Sequence, residues 1–458
     1  MAVDAIVVGA GISGLVVAHA LHRLGRSVVV LEASSRAGGV IATARRDGAL
    51  VERGPNSTLD TSPAIGALLD ELGLAGERVD AGAAGRKRFV VRDGTLRALP
   101  MSPAKLVTTR VFSFGAKLRV LREPFIAAAP PGGDESVASF VRRRLGDEFL
   151  DYAINPFVAG IYAGDPARMS VAAAFPRLVA LERDYGGLIR GQIAGARARR
   201  RRGETPKAAA GSFSFRNGMQ SLTDALAAGL PRVEYGVRVE GLAKEADGFA
   251  VAGTRAGEAM SLRSRTAVLA TEAPAAAAIV DAIAPDAARA LSAIDYAPIA
   301  IVVSCYARQD IAHPLDGFGF LVPEKEKRKI LGTLFSSTLF PGRAPEGSVL
   351  LTTFVGGRRN PECLAMNDAE LAAAVHTEMA ALLGAGKAPA WQDIVRWPRA
   401  IPQYEIGHPD RVGALAAAEA NVPGLWFCAN YRGGVSVGDR VVRGIEQAAQ
   451  VDAWLAAR

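Results

Sequence analysis

Three glycines near the amino terminus have the spacing of a phosphate-binding turn. Gly9, Gly11 and Gly14 follow a short apolar run and precede a longer one with helical character. In this spacing the first glycine permits a tight turn, the second lets a phosphate approach the backbone, and the third lets the helix pack close to the strand. The amides that open the helix then face the anion. The turn therefore predicts a dinucleotide site formed by Gly9, Ala10, Gly11, Ile12, Ser13 and Gly14.

An acidic residue follows at the expected place. Glu32 ends the second apolar run, residues 27–31. A carboxylate there can accept a ribose hydroxyl and would repel a 2′-phosphate, so the cofactor is FAD or NAD. A glycine-rich turn without a ligand is the alternative, and the complete set of strand, turn, helix, strand and acid disfavours it.

These residues require an α/β framework to position them. Apolar runs at 5–8, 27–31 and 267–271 predict buried strands of one nucleotide-binding sheet, and the valine-rich stretch 233–239 predicts a further strand that returns to it. A last strand at 424–428 enters a glycine-rich turn at 430–438, and a helix at 441–455 follows. This second turn-and-helix repeats the anion-binding arrangement of the first. The chain is thus expected to leave the nucleotide domain and return to it twice.

The middle of the chain contains a stretch with a helical pattern and a stretch with a strand pattern. Helical periodicity dominates residues 100–210, and residues 136–145 form an amphipathic helix whose apolar face is expected to join the core. Phe112 and Phe114 look exposed, which suggests an interfacial role. Residues 295–420 are rich in strands, predicted at 298–306, 349–355 and 394–397, with a helix at 369–383.

Composition limits the classes of function. The chain has 458 residues, a length typical of two to three domains, and a net charge of +8. Arginines crowd positions 197 and 199–202, where a solvated, mobile basic loop is expected and contact with acidic lipid is the alternative. No nucleic-acid motif accompanies them. The three cysteines and five histidines have no ligand spacing, so no metal site is predicted.

Location is predicted from the same composition. Residues 5–22 are long and apolar enough to imitate a membrane span, but the glycines at 9, 11 and 14 argue against one. We therefore expect a cytoplasmic protein that lies peripherally on the inner face of an anionic membrane. The sequence leaves the oligomeric state open, with a homodimer among the expected forms.

A family resemblance follows from further motifs. Residues 33–39, with Arg36 and the pair Gly38–Gly39, and residues 52–57 resemble the flavin-facing loops of the amine oxidase and protoporphyrinogen oxidase superfamily. Across its full length the chain is similar to the oxygen-dependent protoporphyrinogen oxidase family. The matching stretches are Gly54–Ser57, Arg88 with Phe89, and residues 160–164, 175–178, 317–323, 401–404, 407–408 and 430–439.

The resemblance implies a set of binding residues. FAD would contact the first turn together with Glu32, Ala33, Arg36, Gly39, Val40, Gly54, Pro55, Asn56, Ser57, Val239, Asn430, Val435, Ser436 and Val437. Arg88 would bind a substrate propionate, Phe318 and Leu321 would sandwich a tetrapyrrole, Phe354 would lie across the pocket and Gly164 would offer a backbone contact. The flavin performs the hydride transfer itself, so no catalytic side chain is predicted.

One stretch departs from the family pattern. Members often have Asn-Asp-Cys near the end, where this chain has Gly438, Asp439 and Arg440. The charge of Arg440 is expected to lie at the surface.

The domain organisation is predicted as a discontinuous, Rossmann-like FAD-binding domain, a strand-rich substrate domain and a helical, membrane-associating domain. The first comprises residues 1–85, 215–290 and 424–458, the second 86–99 and 291–423, and the third 100–214.

The implied activity is the oxidation of protoporphyrinogen IX to protoporphyrin IX in haem biosynthesis, with molecular oxygen reduced to hydrogen peroxide. Coproporphyrinogen III oxidation by the same chemistry is the nearest alternative. An amine oxidase and a non-enzymatic, escort-type binder are the more distant ones.

Overall fold

The computed structural model describes residues 3–130, 132–202 and 211–458, except for the side chains at 84, 103 and 198–202. The strands are β1 (Val3–Val8), β2 (Val28–Glu32), β3 (Thr43–Arg46), β4 (Ala49–Glu52), β5 (Thr58–Leu59), β6 (Arg78–Asp80), β7 (Phe89–Arg92), β8 (Thr95–Ala98), β9 (Ser212–Phe215), β10 (Val233–Tyr235), β11 (Val237–Glu245), β12 (Gly248–Arg255), β13 (Glu258–Leu269), β14 (Tyr296–Ala307), β15 (Gly319–Leu321), β16 (Ile330–Leu334), β17 (Ser348–Gly356), β18 (Trp391–Pro402) and β19 (Leu425–Phe427).

The helices are α1 (Ile12–Arg23), α2 (Pro63–Glu71), α3 (Pro103–Thr108), α4 (Phe114–Leu121), α5 (Val137–Arg144), α6 (Asp147–Phe149), α7 (Asn155–Tyr162), α8 (Val171–Ala174), α9 (Pro176–Tyr185), α10 (Leu188–Arg202), α11 (Gln220–Ala228), α12 (Ala273–Val280), α13 (Pro285–Ser292), α14 (Ser336–Leu339), α15 (Asp368–Leu383), α16 (His408–Asn421) and α17 (Val437–Ala456).

A mixed sheet forms the nucleotide-binding part of the fold. Its order is β10-β2-β1-β13-β12-β11, and β19 also pairs with β13. Alternate residues of β1 enter two separate cores: Ala5 and Val7 pack with α1 and α17, whereas Ile6 and Val8 pack with α12 and α13. Because both faces are covered, the central strands are apolar throughout. The predicted α/β class with a discontinuous Rossmann-like unit is confirmed.

The predicted strand at 233–239 is wrong in one respect. It is broken at Gly236, which has a φ of 69°. Residues before the break pair in parallel with β2, whereas those after it pair antiparallel with β12. A positive φ cannot continue a strand, and this glycine lets the chain change neighbours.

The second large sheet has the order β18-β14-β17-β16-β15-β7-β8. Its strands therefore come from residues 89–98 and from residues 296–402. Helix α15 covers one face through Leu371, Val375 and Met379. The opposite face packs against Ala49 and Val51 of β4 and against Ala159 and Ala163 of the α7 region. That face is turned towards the nucleotide-binding part of the chain. The domain boundaries themselves remain predictions.

Residues 103–202 form the helices α3 to α10. The predicted amphipathic helix is α5, and its apolar residues Val137, Phe140 and Val141 are buried as expected. Arg144 and Glu123 form a fully buried ion pair, and the Glu123 carboxylate also accepts hydrogen bonds from the amides of Leu188 (2.7 Å) and Ile189 (3.0 Å). This pair ties α5 to the start of α10.

Three expectations for this region are corrected. Phe112 is buried and stacks on Phe149 at 5.0 Å, whereas Phe114 is exposed as expected. The arginine-rich stretch at 197–202 is helical rather than a loop, because α10 continues to Arg202. The side chains of Arg199 to Arg202 and the whole of residues 203–210 lie outside the described part of the chain. The stretch 211–218, which begins and ends with glycine, is predicted by its sequence to be a loop but contains β9, which pairs with β5 and β6.

Among the described residues, no helix combines the length and hydropathy needed to span a membrane.

Candidate active site

The glycine turn between β1 and α1 has the geometry that phosphate binding needs. Gly9 has a φ of 104°. A Cβ on Gly14 would lie 2.0 Å from the Gly9 carbonyl oxygen, so only glycine fits there. A Cβ on Gly11 would meet nothing within 4 Å, and Gly11 is the N-cap of α1. The open space beside Gly11 therefore lies where the helix amides point, and a pyrophosphate fits it.

Glu32 is held in place at the end of β2. Its two carboxylate oxygens accept hydrogen bonds from the amides of Ala10 (2.7 Å) and Ser34 (2.8 Å). Each oxygen retains a second lone pair, so the carboxylate can also accept a ribose hydroxyl. The predicted ribose contact is consistent with this position beside the turn.

Arg36 shapes the loop that follows. Its guanidinium donates to the carbonyl oxygens of Ala37 and Ile41 (both 2.9 Å) and of Gly39 (2.6 Å). The Gly38 amide donates to Ala10 O at 2.8 Å, and a Cβ on Gly39 would lie 3.5 Å from the Gly11 Cα. The side chain of Arg36 thus fixes the loop against the phosphate turn.

Val40 and the loop of Gly54, Pro55, Asn56 and Ser57 are in direct contact. A Cβ on Gly54 would lie 1.9 Å from the Val40 carbonyl oxygen, which explains why glycine occupies this position. Ser57 Oγ accepts a hydrogen bond from Ser212 Oγ at 2.8 Å. Asn56 is buried, and its Oδ1 accepts one from Ser336 Oγ at 3.3 Å. This last contact joins the loop to the second sheet.

The buried ion pair of Glu52 and Arg343 fixes the strand end that precedes this loop. Arg343 Nη1 donates to Glu52 Oε1 at 2.7 Å, and both side chains are less than 5 % exposed. The same carboxylate accepts from Thr43 Oγ1 (2.7 Å) and from the Met219 amide (2.8 Å). Its charge is therefore fully engaged in structure.

The second glycine-rich turn lies close to the same loop. A Cβ on Gly438 would contact Thr58 Oγ1 at 3.3 Å and Leu59 O at 3.2 Å, so α17 begins beside residues 54–57. Ser436 caps α17 by accepting from the Asp439 amide at 3.1 Å. Val435 and Val437 flank this cap. Helix α17 also packs on α1, because a Cβ on Gly444, two turns into α17, would lie 2.7 Å from Val16 Cγ1.

Tyr404 holds the second glycine-rich turn through two hydrogen bonds. Its hydroxyl donates to Asn430 O at 2.7 Å and accepts from the Gly434 amide at 3.0 Å. Burial raises the pKa of Tyr404 to about 12, so it remains a hydrogen-bond donor at physiological pH. Its ring stacks on His408 with centroids 4.2 Å apart.

Val239 and Ala33 lie at the outer end of this site. The Gly236 amide donates to Ser34 O at 3.0 Å, which brings the start of β11 beside the residues that follow Glu32. Val239 is half-buried, and the β-bulge that follows it interrupts the pairing with β12. Both residues are accessible to an adenosine bound at the end of β2.

Leu321 and Phe354 of the second sheet share one row. Gly332 pairs with Leu321 on one side and with Phe354 on the other. Directly paired residues project to the same face, so Leu321 and Phe354 stand about 10 Å apart, two strand spacings, with no side chain between them. Both are half-buried on the face that α15 leaves free. Gly332 itself is buried, and a Cβ there would lie 3.3 Å from Leu321 Cδ2, so the glycine leaves room for that side chain.

Arg88 and Phe318 lie near this row. Arg88 immediately precedes β7 and is two residues before Val90, which pairs with Leu321. The Arg88 guanidinium carbon is 5.1 Å from the Phe318 ring centroid, and the Phe318 amide donates to Lys87 O at 2.7 Å. Burial lowers the pKa of Arg88 from its usual value. Within the described residues no carboxylate forms an ion pair with it. A half-buried cation beside an aromatic ring is available to a carboxylate ligand.

Gly164 is separated from this row by α7. A Cβ on Gly164 would contact Gln403 Oε1 and Met169 Sδ, both at 2.7 Å. One helical turn earlier, a Cβ on Gly160 would lie 2.8 Å from Leu321 Cδ2. Helix α7 therefore covers Leu321 directly. Gly160, rather than Gly164, is the glycine of this segment that lies beside the row.

Sequence reasoning missed Gly332, Ser336 and Tyr404 as candidate site residues. A glycine inside the alternating strand 330–334 was a readable signal, because such a glycine marks a close approach of backbone or ligand. Ser336 and Tyr404 act through contacts across 280 and 26 positions of sequence, and no local pattern indicates them.

The expectation for Arg440 is wrong. The residue is only 2 % exposed and its Nη1 donates to Ala429 O at 2.7 Å. Arg440 lies in the first turn of α17, and the inward face of that helix packs against the strand ends rather than solvent.

The fold and the glycine turn at the start of α1 are typical of a dinucleotide-binding oxidoreductase. The family model for flavin-containing amine oxidoreductases matches residues 12–452, and the chain belongs to this family. Its cofactor is FAD, which fits the open space at Gly11 and the close glycine contacts around it. Family membership makes the protein an oxidoreductase and not a non-enzymatic binder.

The chain is similar over nearly its full length to porphyrinogen oxidases of other organisms. Protoporphyrinogen oxidase 2 of Arabidopsis thaliana is 33 % identical over 98 % of this chain and 94 % of its own. Coproporphyrinogen III oxidase of Propionibacterium freudenreichii is 32 % identical over 93 % of this chain and 86 % of its own. A crystal structure from Exiguobacterium sp. 255-15 has a TM-score of 0.83 at 24 % identity and covers 99 % of both chains, which supports the fold alone.

Proposed function

We propose that the protein oxidises a porphyrinogen to a porphyrin with FAD as the electron acceptor, and that its substrate is protoporphyrinogen IX. The observation that carries the proposal is the half-buried Arg88, which lies two residues from Val90, the strand partner of Leu321, beside the apolar row of Leu321, Gly332 and Phe354. A tetrapyrrole has an apolar ring and carboxylate arms, and the row and the cation match these two features. The names of the relatives point to the same substrate class.

Bound FAD would supply the hydride acceptor. The side chains of this protein would bind and orient the macrocycle. Arg88 would pair with a propionate in a charge-assisted hydrogen bond, and Leu321 and Phe354 would hold the apolar ring and exclude water. Helix α7 would fix the height of Leu321 through Gly160. The chain thus acts by positioning rather than by a catalytic acid or base.

Coproporphyrinogen III is the second candidate, because relatives carrying that name match nearly the whole chain. It has four propionates where protoporphyrinogen IX has two, and its pocket should therefore carry more cations. Lys87, beside Arg88, is already engaged with Asp316 at 2.5 Å. Lys87 is therefore not available to a further propionate, which favours the substrate with fewer carboxylates.

Anaerobic reduction tests both parts of the proposal. Purified holoenzyme is mixed with protoporphyrinogen IX, coproporphyrinogen III or an amine, and bleaching of the flavin absorbance is followed. Faster bleaching by protoporphyrinogen IX is expected. If only coproporphyrinogen III bleaches the flavin, that compound and not protoporphyrinogen IX is the substrate. If only an amine bleaches it, the porphyrinogen proposal is rejected. Admission of air should then restore the flavin absorbance and produce hydrogen peroxide, since oxygen is the proposed final acceptor.

A peripheral membrane contact is also part of the proposal. Phe114, Leu118 and Leu121 follow one face of α4, and Phe125 continues it; their exposed fractions are 76 %, 43 %, 67 % and 84 %. Val107 is 72 % exposed. This apolar face adjoins the exposed cations Lys105, Arg110 and Arg122. An apolar face with basic neighbours favours an anionic membrane surface.

Vesicle flotation tests this contact. The holoenzyme should float with vesicles of phosphatidylglycerol and phosphatidylcholine and remain behind with phosphatidylcholine alone. Phe114→Ser combined with Phe125→Ser should abolish flotation, whereas Leu24→Ser, at a site 52 % exposed on the nucleotide-binding part, should not. Equal flotation of all variants would refute the proposed face. A cytoplasmic location and a homodimer remain predictions, for cell fractionation and light scattering to check.

A further inference from the structure

Arg440 is a buried cation without an acidic partner. Its side chain donates one hydrogen bond, from Nη1 to Ala429 O at 2.7 Å. Nε and Nη2 are buried and have no partner in the described part of the chain. A buried charge is energetically unfavourable unless an opposite charge or full hydrogen bonding compensates it. The position therefore calls for a functional explanation.

The groups that face Arg440 do not neutralise it. Tyr404 and Cys428 approach from the strand ends, and burial raises their pKa values to about 12 and about 11, so both are uncharged at physiological pH. Asp439 precedes Arg440 on α17, but its carboxylate accepts from the amide (3.3 Å) and the hydroxyl (2.6 Å) of Ser436 and serves the helix cap. Arg443, one turn further on, adds a second positive charge.

Arg440 spans the back of the second glycine-rich turn. Ala429, its hydrogen-bond acceptor, immediately precedes Asn430. At the other end, the Arg440 amide donates to Ser436 O at 3.0 Å. The predicted FAD contacts Asn430, Val435, Ser436 and Val437 all belong to the segment between these two attachments. The guanidinium thus contacts the carbonyl that precedes the turn, and the backbone of Arg440 belongs to the first turn of α17 that follows it.

We propose that Arg440 is a positioning residue that braces the turn at 430–437 and raises the reduction potential of the bound FAD. When FAD takes up two electrons and one proton, it becomes an anion. A positive charge in a region of low dielectric stabilises that anion more than the neutral oxidised form, and the helix amides act in the same direction. The inference rests on FAD being the cofactor and does not depend on which substrate reduces it.

The test compares reduction potentials of the holoenzyme and three variants. Arg440→Met removes the charge, and Arg440→Lys retains it. Arg443→Met removes a charge from the same helix at a side chain that is 56 % exposed and paired with Glu446 at 2.7 Å, and it is the matched control. Each protein is titrated with dithionite against an indicator dye. We expect the reduction potential of Arg440→Met to fall by about 30 mV. For a two-electron couple this corresponds to an equilibrium shifted about tenfold towards oxidised FAD. Arg440→Lys and Arg443→Met should stay near the wild type.

Two results would overturn the proposal. One is an unchanged potential in flavin-loaded Arg440→Met. The other is a potential in Arg440→Lys as low as in Arg440→Met, which would reduce the role of Arg440 to bracing. If Arg440→Met does not retain FAD, Arg440→Gln replaces it in the comparison. If neither neutral variant retains FAD, the test depends on Arg440→Lys. Retention of FAD by this variant, with the reduction potential of the wild type, supports the proposal. Loss of FAD from this variant contradicts the proposed effect of the positive charge. Thermal unfolding of each variant separates loss of flavin from loss of fold.

Discussion

The guanidinium of Arg88 lies over the ring of Phe318, with 5.1 Å between its central carbon and the ring centroid. The two residues come from different parts of the chain and meet because β7 and β15 pair in parallel, Phe89 opposite Phe320. The aromatic ring holds the cation in place without neutralising it. Arg88 therefore keeps its charge available beside the apolar row, two residues from Val90, the strand partner of Leu321.

Replacement of Arg88 by alanine should weaken substrate binding and leave FAD bound. A charge-assisted hydrogen bond contributes about 1.5–3 kcal/mol. The Michaelis constant for protoporphyrinogen IX should therefore rise roughly ten- to a hundredfold, with flavin content unchanged. Steady-state kinetics and the flavin absorbance measure both quantities. Lys87→Ala is the control, because Lys87 is paired with Asp316 at the surface and should have little effect. An unchanged Michaelis constant for Arg88→Ala would refute the propionate role.

Gly11→Val should produce a folded protein without flavin. A Cβ at Gly11 meets no atom within 4 Å, and the residue has an ordinary φ of −71°, so the protein itself tolerates the side chain. The valine would instead occupy the space expected for the pyrophosphate. Flavin absorbance and circular dichroism of the purified variant provide the test. Gly14→Val offers a contrast, because its Cβ would lie 2.0 Å from Gly9 O and folding should fail. A fully loaded Gly11→Val protein would contradict the proposed site.

The elements that the sequence predicted correctly are those that depend on residues close together in the chain. The turn at 9–14, the acid at 32, the helix α5 and the long strands β14 and β17 all follow from periodicity and glycine spacing. The break at Gly236 was missed because the valines around it predict one continuous strand, although a glycine inside a strand can mark a bend. The burial of Arg440 was missed for a related reason. A charged side chain on an amphipathic helix normally faces solvent, and only the packing of α17 against the strand ends shows otherwise.

Gly160→Ala should affect the substrate without affecting the fold. Alanine is favoured over glycine in a helix by about 1 kcal/mol, so the thermal stability should be maintained or increased. The new Cβ, however, would lie 2.8 Å from Leu321 Cδ2 and displace that side chain. The Michaelis constant should rise several-fold. Gly115→Ala in α4 is the matched control, because its Cβ would meet only Ser113 Oγ at 3.9 Å. Equal kinetics in both variants would show that the position of Leu321 does not matter for binding.

His408 should make the protein less stable in acid. The ring is 2 % exposed, and its Nε2 lies 2.9 Å from Tyr431 O, as expected for a neutral ring that donates to this carbonyl. Burial lowers the pKa of His408 from 6.5 to about 4. The unfolded chain therefore binds the proton more readily than the folded protein between these values, and the stability present above pH 6.5 is lost as the pH falls through this window towards 4. The full effect is about 3 kcal/mol. His408→Gln retains an amide donor but has no titrating ring, so its unfolding temperature should fall less between pH 7 and pH 4.5 than that of the wild type. His22→Gln on α1 is the control, and a wild-type slope in His408→Gln would assign the acid sensitivity to other groups.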